Sequence, residues 1–251
     1  MDLNLNNKII VITGGTGGIG REIVKDFLIE NAIVICLIRN QEKMQHLIDD
    51  FNTKDINTTN LHSFKCNLMN YNSMKETINT ILNQFNAINI LVNCAGQVNE
   101  NPFGLIDDKT IEKMIDINLK SPMLLSHLVL KPMFKQKGGA IINISSISTI
   151  KKGRGIVAYA SSKAGLEAFT RTLAQEVGRK NIRVNCIRPG IIRTTMSGGV
   201  IGLHSDTIKK TNSLCRVGEV NEISKTVLFL ASSETSSYIT GECITIDGGT
   251  Y

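Results

Sequence analysis

Short apolar runs and amphipathic segments alternate along nearly the whole chain. Seven runs read as strands: "KIIVITG" (8–14), "AIVICLI" (32–38), "LHSFKCN" (61–67), "INILVNCAG" (88–96), "GAIINISS" (139–146), "IRVNCIRPG" (182–190) and "CITIDGG" (243–249). Those with unbroken Ile and Val runs are expected to be buried on both faces, as central parallel strands are. Between them, apolar residues recur at helical spacing. Met74, Ile78, Ile81, Leu82 and Phe85 fall on one face, as do Leu166, Phe169, Leu173 and Val177, and Ile223, Val227 and Leu230. This alternation predicts an α/β protein: a doubly wound, seven-stranded parallel sheet with helices on both faces, in a single domain over 1–251. Residues 194–218 break the rhythm. Their glycines and weak periodicity predict a substrate-covering loop or short helices.

Composition narrows the functional classes. Hydrophobic residues make up 42% of the chain and charged residues 20%, the balance of a soluble globular protein. No apolar run approaches the ~18 residues of a membrane span. The start, "MDLNLNNKIIVITGG", lacks a basic stretch followed by an apolar run and a cleavage site, so a cytoplasmic or organelle-matrix location is expected rather than secretion. The formal charge of +6 is scattered, without basic runs interleaved with aromatics, which argues against nucleic acid as a partner. Six cysteines, none in a CxxC pair, read as reduced thiols buried mostly in strands, with no metal site or disulfide framework expected.

The stretch "TGGTGGIGREIV" (13–24) follows the first strand directly and runs into a helix. Gly14, Gly18 and Gly20 suit a tight turn, a close backbone approach by a pyrophosphate, and close packing of helix on sheet. Thr16, Ile19 and Arg21 belong to the same candidate cradle. The second strand ends in Ile38, Arg39 and Asn40, with no carboxylate to take a ribose 2′-hydroxyl. An arginine there suits a 2′-phosphate, so NADPH is favoured over NADH as cofactor. Asn67 and Leu68, after the third strand, are placed near the adenine. Asn93, Ala95 and Gly96 are placed on the adenosine side of the cleft.

Two tyrosines stand four residues before a lysine: Tyr159 and Lys163 in "YASSK", and Tyr71 and Lys75 in "YNSMK". Spacing alone does not separate them; surroundings do. Upstream of Tyr159 the fifth strand ends in Ser145 and Ser146, at the sheet edge where doubly wound folds bind ligands. Asn118, in "MIDINLKSP", is expected on a neighbouring helix. Carbonyl reduction needs a proton donor for the developing oxyanion, and a phenol has an ordinary pKa of about 10. A lysine at i+4 shares the tyrosine's face, and its charge is expected to lower the phenol by ~2–3 units. Asn118, Ser146, Tyr159 and Lys163 thus form the candidate catalytic group, with Tyr159 and Lys163 also reaching the cofactor. Ser148 is a weaker rival to Ser146, and Ser145 is expected to point to the other face. Tyr71 and Lys75 read as a solvated first turn of a helix.

Taken together, "TGGTGGIG" (13–20), "NCAG" (93–96), Asn118, the serines at 145–146, "YASSK" (159–163), "RPGIIRT" (188–194) and "DGG" (247–249) resemble the short-chain dehydrogenase/reductase family over the full length. The resemblance implies a Rossmann-type fold and a catalytic tetrad of Asn118, Ser146, Tyr159 and Lys163. It implies that the segment after Pro189 and Gly190 holds the nicotinamide amide through Ile192 and Thr194. Family members specific for NADPH often carry a basic residue before the second motif glycine, where this chain has Gly17. That leaves the 2′-phosphate to Arg39, helped by Arg21.

Within the family the chain looks most like 3-oxoacyl-[acyl-carrier-protein] reductases and type-4 carbonyl reductases. That likeness implies reduction of 3-oxoacyl thioesters in fatty-acid synthesis, and docking of an acidic carrier protein on Lys137, Arg179 and Lys180 near the site mouth. It also implies a homotetramer, with the Tyr159 helix and its neighbour at 119–136 forming one interface and the last strand another. Two other readings stay open. One is another carbonyl, quinone, hydroxysteroid or polyol substrate; the other is a non-catalytic partner subunit.

Overall fold

The computed structural model describes residues 2–151, 153–194 and 210–250. Seven parallel strands form one sheet: β1 (Ile9–Thr13), β2 (Ile33–Ile38), β3 (Leu61–Lys65), β4 (Ile90–Asn93), β5 (Gly139–Ile144), β6 (Ile182–Pro189) and β7 (Cys243–Ile246). Their order across the sheet is β3-β2-β1-β4-β5-β6-β7. The order in which strands are added reverses between β1 and β4, the switch point at which parallel sheets of this kind open a crevice.

The strand apolar runs are two-sided, as their lack of alternation predicts. Ile10, Ile12, Val34 and Cys36 join the core layer under α1 (Gly18–Ile29), α2 (Gln41–Asn52) and α7 (Val220–Ala231). Val11, Ile35 and Leu37 join the opposite layer, under α3 (Tyr71–Phe85), α5 (Ser121–Lys135) and α6 (Val157–Val177). Local signals set the helix starts: Asn40, Asn70 and Asp107 accept from backbone N–H groups at the heads of α2, α3 and α4 (Asp108–Ile115). Glu219 and Glu222 form a capping box on α7. A one-turn α8 (Ser233–Ser236) precedes β7.

The expected strands run long at their carboxyl ends. β4 stops at Asn93, β5 at Ile144 and β7 at Ile246, where the chain leaves the ladder for loops. Gly248 and Gly249 lie at φ +67° and +71°, a left-handed turn that strand geometry forbids. The residues beyond these strand ends are the ones that line the crevice. Of the segment 194–218, residues 195–209 lie outside the described residues, and with them most of the expected covering loop.

Candidate active site

The turn 14–17 joins β1 to α1 at the crevice floor. Gly14 sits at φ +71°, and a Cβ there would come within 2.8 Å of Ala95 N, so conformation and space both require glycine. The preceding Thr13 Oγ accepts from Cys94 N at 3.1 Å and Ala95 N at 3.0 Å, fixing the loop after β4 against the turn. A Cβ on Gly18 would lie 2.7 Å from Thr194 Cγ2, so the segment after β6 crosses the first turn of α1. That turn carries no side-chain cap and no acidic residue. Its N–H groups and dipole therefore suit an anion. Thr16 and Ile19 are half-buried beside it and Gly20 is buried.

Elsewhere on the cofactor side the residues divide. Arg39 is exposed at the end of β2 and makes no ion pair among the described residues. Arg21, expected to help it, is instead paired with Asp50 and stacked over the Phe51 ring at 5.7 Å. Asn40 Oδ1 is used as the α2 cap, and Asn67 Oδ1 accepts from Met69 N at 3.0 Å. Leu68 packs on the core beside α3. Asn93 does not face the crevice: its Nδ2 donates to Asn143 Oδ1 at 2.8 Å on the α5–α6 side of the sheet. Strand alternation puts it there, one residue before the chain turns into the cleft at Cys94.

At the other end, four polar side chains from three segments meet. Asn118 lies on a π-helical turn (Asp116–Lys120) joining α4 to α5, a wider turn than the expected plain helix. It is fully buried; its Oδ1 accepts from Gln97 N at 2.8 Å and its Nδ2 donates to Gln97 O at 2.8 Å and Ser162 Oγ at 3.1 Å. A Cβ on Gly96 would lie 3.4 Å from Lys163 Nζ and 3.5 Å from Asn118 Oδ1, so these two groups flank one spot. Lys163 Nζ donates to Ile144 O at 2.7 Å, at the end of β5. Ser146, just beyond, accepts from Ser148 N at 3.2 Å, and its hydroxyl is bonded to the Tyr159 phenol. Pro189 and Gly190 close the edge, Gly190 N donating to Ile246 O at 2.8 Å, and Ile192 is buried behind them.

The charge balance differs from expectation. Burial pushes the Tyr159 phenol up; the Ser146 hydrogen bond pulls it partly back and Glu100 adds to the rise. Burial likewise pulls the Lys163 ammonium down, to about 8. The expected lowering of the phenol by the lysine is thus not present. Desolvation is the leading cause on both groups, and one of the three lysine N–H donors goes to the Ile144 carbonyl. The result is a protonated phenol at neutral pH beside a lysine that titrates within reach of it. This arrangement can donate a proton to an oxygen placed between Ser146 and Tyr159.

The family profile described as short chain dehydrogenase matches residues 8–201, most of the chain. The chain belongs to the short-chain dehydrogenase family. It is similar to a 3-oxoacyl-[acyl-carrier-protein] reductase of Chlamydia muridarum, 38% identical over 254 residues and 99% of each chain. It is also similar to a 3α-hydroxysteroid dehydrogenase of Mediterraneibacter gnavus, 35% identical over 254 residues, covering 99% of this chain and 98% of that one. A solved short-chain dehydrogenase/reductase from Mycobacterium ulcerans superposes with a TM-score of 0.91 at 26% identity, over 98% of this chain and 90% of that one.

Behind the meeting point, this short-chain dehydrogenase carries a carboxylate that sequence reasoning missed. Glu167 is only 3% exposed, yet Arg188 forks onto it at 2.7 and 2.6 Å, and Ser145 and Thr149 donate to it at 2.8 and 2.7 Å. Burial acts to raise its carboxyl, but the bonds from Arg188, Thr149 and Ser145 outweigh it and hold the group below the ordinary value. One side chain thereby ties α6 to the segment bearing Ser146 and to the end of β6. Tyr159, Lys163, Glu167 and Arg171 recur every four residues. That polar stripe, running beside the apolar face of Leu166, Leu173 and Val177, was the available signal. Ser145 faces α6, as alternation predicts, and Ser148 Oγ is buried without a partner.

Three expected site residues lie elsewhere in the chain's own fold. Lys137 follows α5, and Arg179 and Lys180 follow α6, beside the starts of β5 and β6. The 21-residue α6 separates them from Tyr159 by about 30 Å, so within one chain they do not border the site. Tyr71 and Lys75 are exposed on the first turn of α3, far from any serine-bearing strand end, as expected.

Proposed function

We propose that this short-chain dehydrogenase is an NADPH-dependent reductase of 3-oxoacyl thioesters. The observation that carries the reading is the meeting of Asn118, Ser146, Tyr159 and Lys163 at the carboxyl edge of the sheet, in a chain similar over its whole length to a 3-oxoacyl-[acyl-carrier-protein] reductase. The residues fit a dinucleotide. The Gly14 turn and uncapped α1 head suit the pyrophosphate, and Arg39, without an ion pair among the described residues, suits a 2′-phosphate. Ala95, Gly96, Pro189, Gly190, Ile192 and Thr194 line its remaining length.

When bound, the dihydronicotinamide supplies the hydride. The chain's own residues do the rest. Ser146 orients the 3-oxo oxygen by hydrogen bonding, and Tyr159 donates its phenolic proton as charge develops there. Lys163, close to its own titration at neutral pH, replenishes that proton, with Asn118 holding the Gln97 backbone over it. Glu167 keeps the Ser146 segment and α6 in register. The protein works in fatty-acid synthesis, in the cytoplasm or an organelle matrix, as a homotetramer. In that assembly the basic group at Lys137, Arg179 and Lys180 faces the mouth of a neighbouring copy and receives the acidic carrier.

Similarity to a 3α-hydroxysteroid dehydrogenase favours a second reading, in which the same site works on a steroid or other bulky carbonyl. Absorbance at 340 nm with acetoacetyl-CoA separates the readings. Fast consumption of NADPH over NADH is expected. Turnover of a steroid ketone with none of acetoacetyl-CoA overturns the thioester reading, and turnover with NADH alone overturns the role given to Arg39.

A further inference from the structure

A second polar space lies at the amino edge of the sheet, opposite the crevice, where Lys8, Asn89 and Asn181 precede β1, β4 and β6. It is a half-open cavity of about 270 Å³, far larger than the ~10–15 Å³ that one water needs. The six residues of β5, about 20 Å of strand, separate it from the end that carries Ser146. Gln136, Arg183 and Ser237 complete its polar wall, and no carboxylate lines it. The interfaces of the proposed homotetramer do not pass over it. Neither α6 nor the last strand supplies wall, and of residues 119–136 only Gln136 reaches it.

Arg183 gives the cavity its charge. Its neighbours Ile182 and Val184 belong to the core layer under α6, so strand alternation turns Arg183 to the α7 side. It is only 8% exposed. Nη1 donates to Leu230 O at 2.6 Å and Ser236 Oγ at 2.8 Å, and Nη2 donates to Ala231 O at 3.1 Å. These bonds cap the last turn of α7 and leave N–H groups on Nε and Nη2 without a partner among the described residues. They also leave the charge uncompensated. Arg183 makes no ion pair among the described residues, and burial, with no carboxylate to offset it, pulls its guanidinium below the ordinary value. A buried cation without an anion is costly. Lys8, half-buried in the wall, likewise makes no ion pair among the described residues. Asn89 Oδ1 accepts from Ile9 N at 2.8 Å, which leaves its amide nitrogen as a donor. Lys137 and Lys180, next in sequence to the wall residues Gly138 and Asn181, add to the positive potential.

We propose that this cavity binds inorganic phosphate, held by Arg183 and Lys8 with the Asn89 amide as a further donor. A planar guanidinium matches the paired oxygens of a tetrahedral oxyanion, and the ammonium supplies a second positive charge. The wall joins the segment before β1 to the ends of α5 and α7 and the starts of β5 and β6. A ligand there binds the folded chain alone and so stabilises it by linkage. The proposal does not depend on which carbonyl or which nicotinamide cofactor the crevice takes.

The test is a calorimetric titration of the full-length protein with inorganic phosphate, in chloride at constant ionic strength, beside thermal melts in the two anions. One phosphate site per chain is expected, with a higher Tm in phosphate than in chloride. Lys8→Glu, which reverses one charge, should weaken the site by ~100-fold. Asn89→Asp keeps the bond from Ile9 N but sets a carboxylate in the wall, and should weaken it by ~10-fold or more. Arg39→Ala should leave it within about two-fold, because Arg39 stands in the dinucleotide cradle at the other edge. Should one wall variant fail to fold, the other decides. Neither heat nor a Tm rise at millimolar phosphate would overturn the proposal. A phosphate site lost in Arg39→Ala, or unchanged by the wall variants, would overturn it as well.

Discussion

The two ends of the crevice are made differently. At the phosphate end, contacts come from backbone: the Gly14 turn, the open head of α1, and the loop pinned by Thr13, nearly all from residues adjacent in the chain. At the chemical end they come from side chains on the π turn, the end of β5 and α6, brought together by the fold and kept there by Glu167. A backbone site tolerates change in its side chains and fails when a Cβ appears. A side-chain site fails when one hydroxyl, amine or carboxylate is lost. The contrast predicts that substitutions at the two ends separate binding from turnover.

The largest expected effect is at the chemical end. Tyr159→Phe should lower turnover by ~10³-fold, about 4 kcal/mol in the barrier, with NADPH affinity within a few-fold of the parent. Steady-state rates beside a cofactor-fluorescence titration read both. A variant weak in both would erase the distinction between the ends. Next comes Glu167→Gln, which leaves the Arg188 fork without its anion. A loss of ~3 kcal/mol in urea unfolding is expected, with turnover falling beyond what unfolding explains. Because the native carboxyl is held below its ordinary value of 4.5, its contribution is complete above that pH and is lost as pH falls through the lower native value. The Gln variant should therefore show a flatter acid limb.

Smaller effects sharpen the phosphate end. Arg39→Ala should raise the KM for NADPH by ~10-fold and leave that for NADH nearly unchanged, as loss of one charge-assisted contact predicts. Equal weakening of both cofactors would remove Arg39 from the 2′-phosphate. The smallest is a pH effect. Lys163 is lowered to about 8, so its charged form is present below that pH and lost above it. The rate of reduction should decline as pH rises through about 8, and a flat profile from 7 to 9 would exclude the lysine from the proton supply.

The same contrast explains what could be read in advance. The seven strands, their burial on both faces and the glycine turn were legible because two-sided apolar runs and a strand–glycine–helix sequence are local signals. Tyr159 could be told from Tyr71 because a serine-bearing strand end precedes it. Arg21 was misplaced because Asp50 and Phe51, which hold it, lie on the next helix and only the fold brings them near. Asn93 was misplaced by a single step of strand alternation. The carrier-docking cations were placed by family likeness to an assembly, and one chain puts the length of α6 between them and the phenol. Electrostatics was the least legible. The i+4 lysine suggested a lowered phenol, whereas burial, which no spacing reports, raises it.

A crystal structure of the Tyr159→Phe variant with NADPH and acetoacetyl-CoA tests the central assignment most directly. The pyrophosphate should lie on the turn from Gly14 to Gly18, the 2′-phosphate at Arg39, and the 3-oxo oxygen within hydrogen-bond reach of Ser146 and the ring edge at 159. A nicotinamide or oxo group bound away from Ser146 and Lys163 would contradict it.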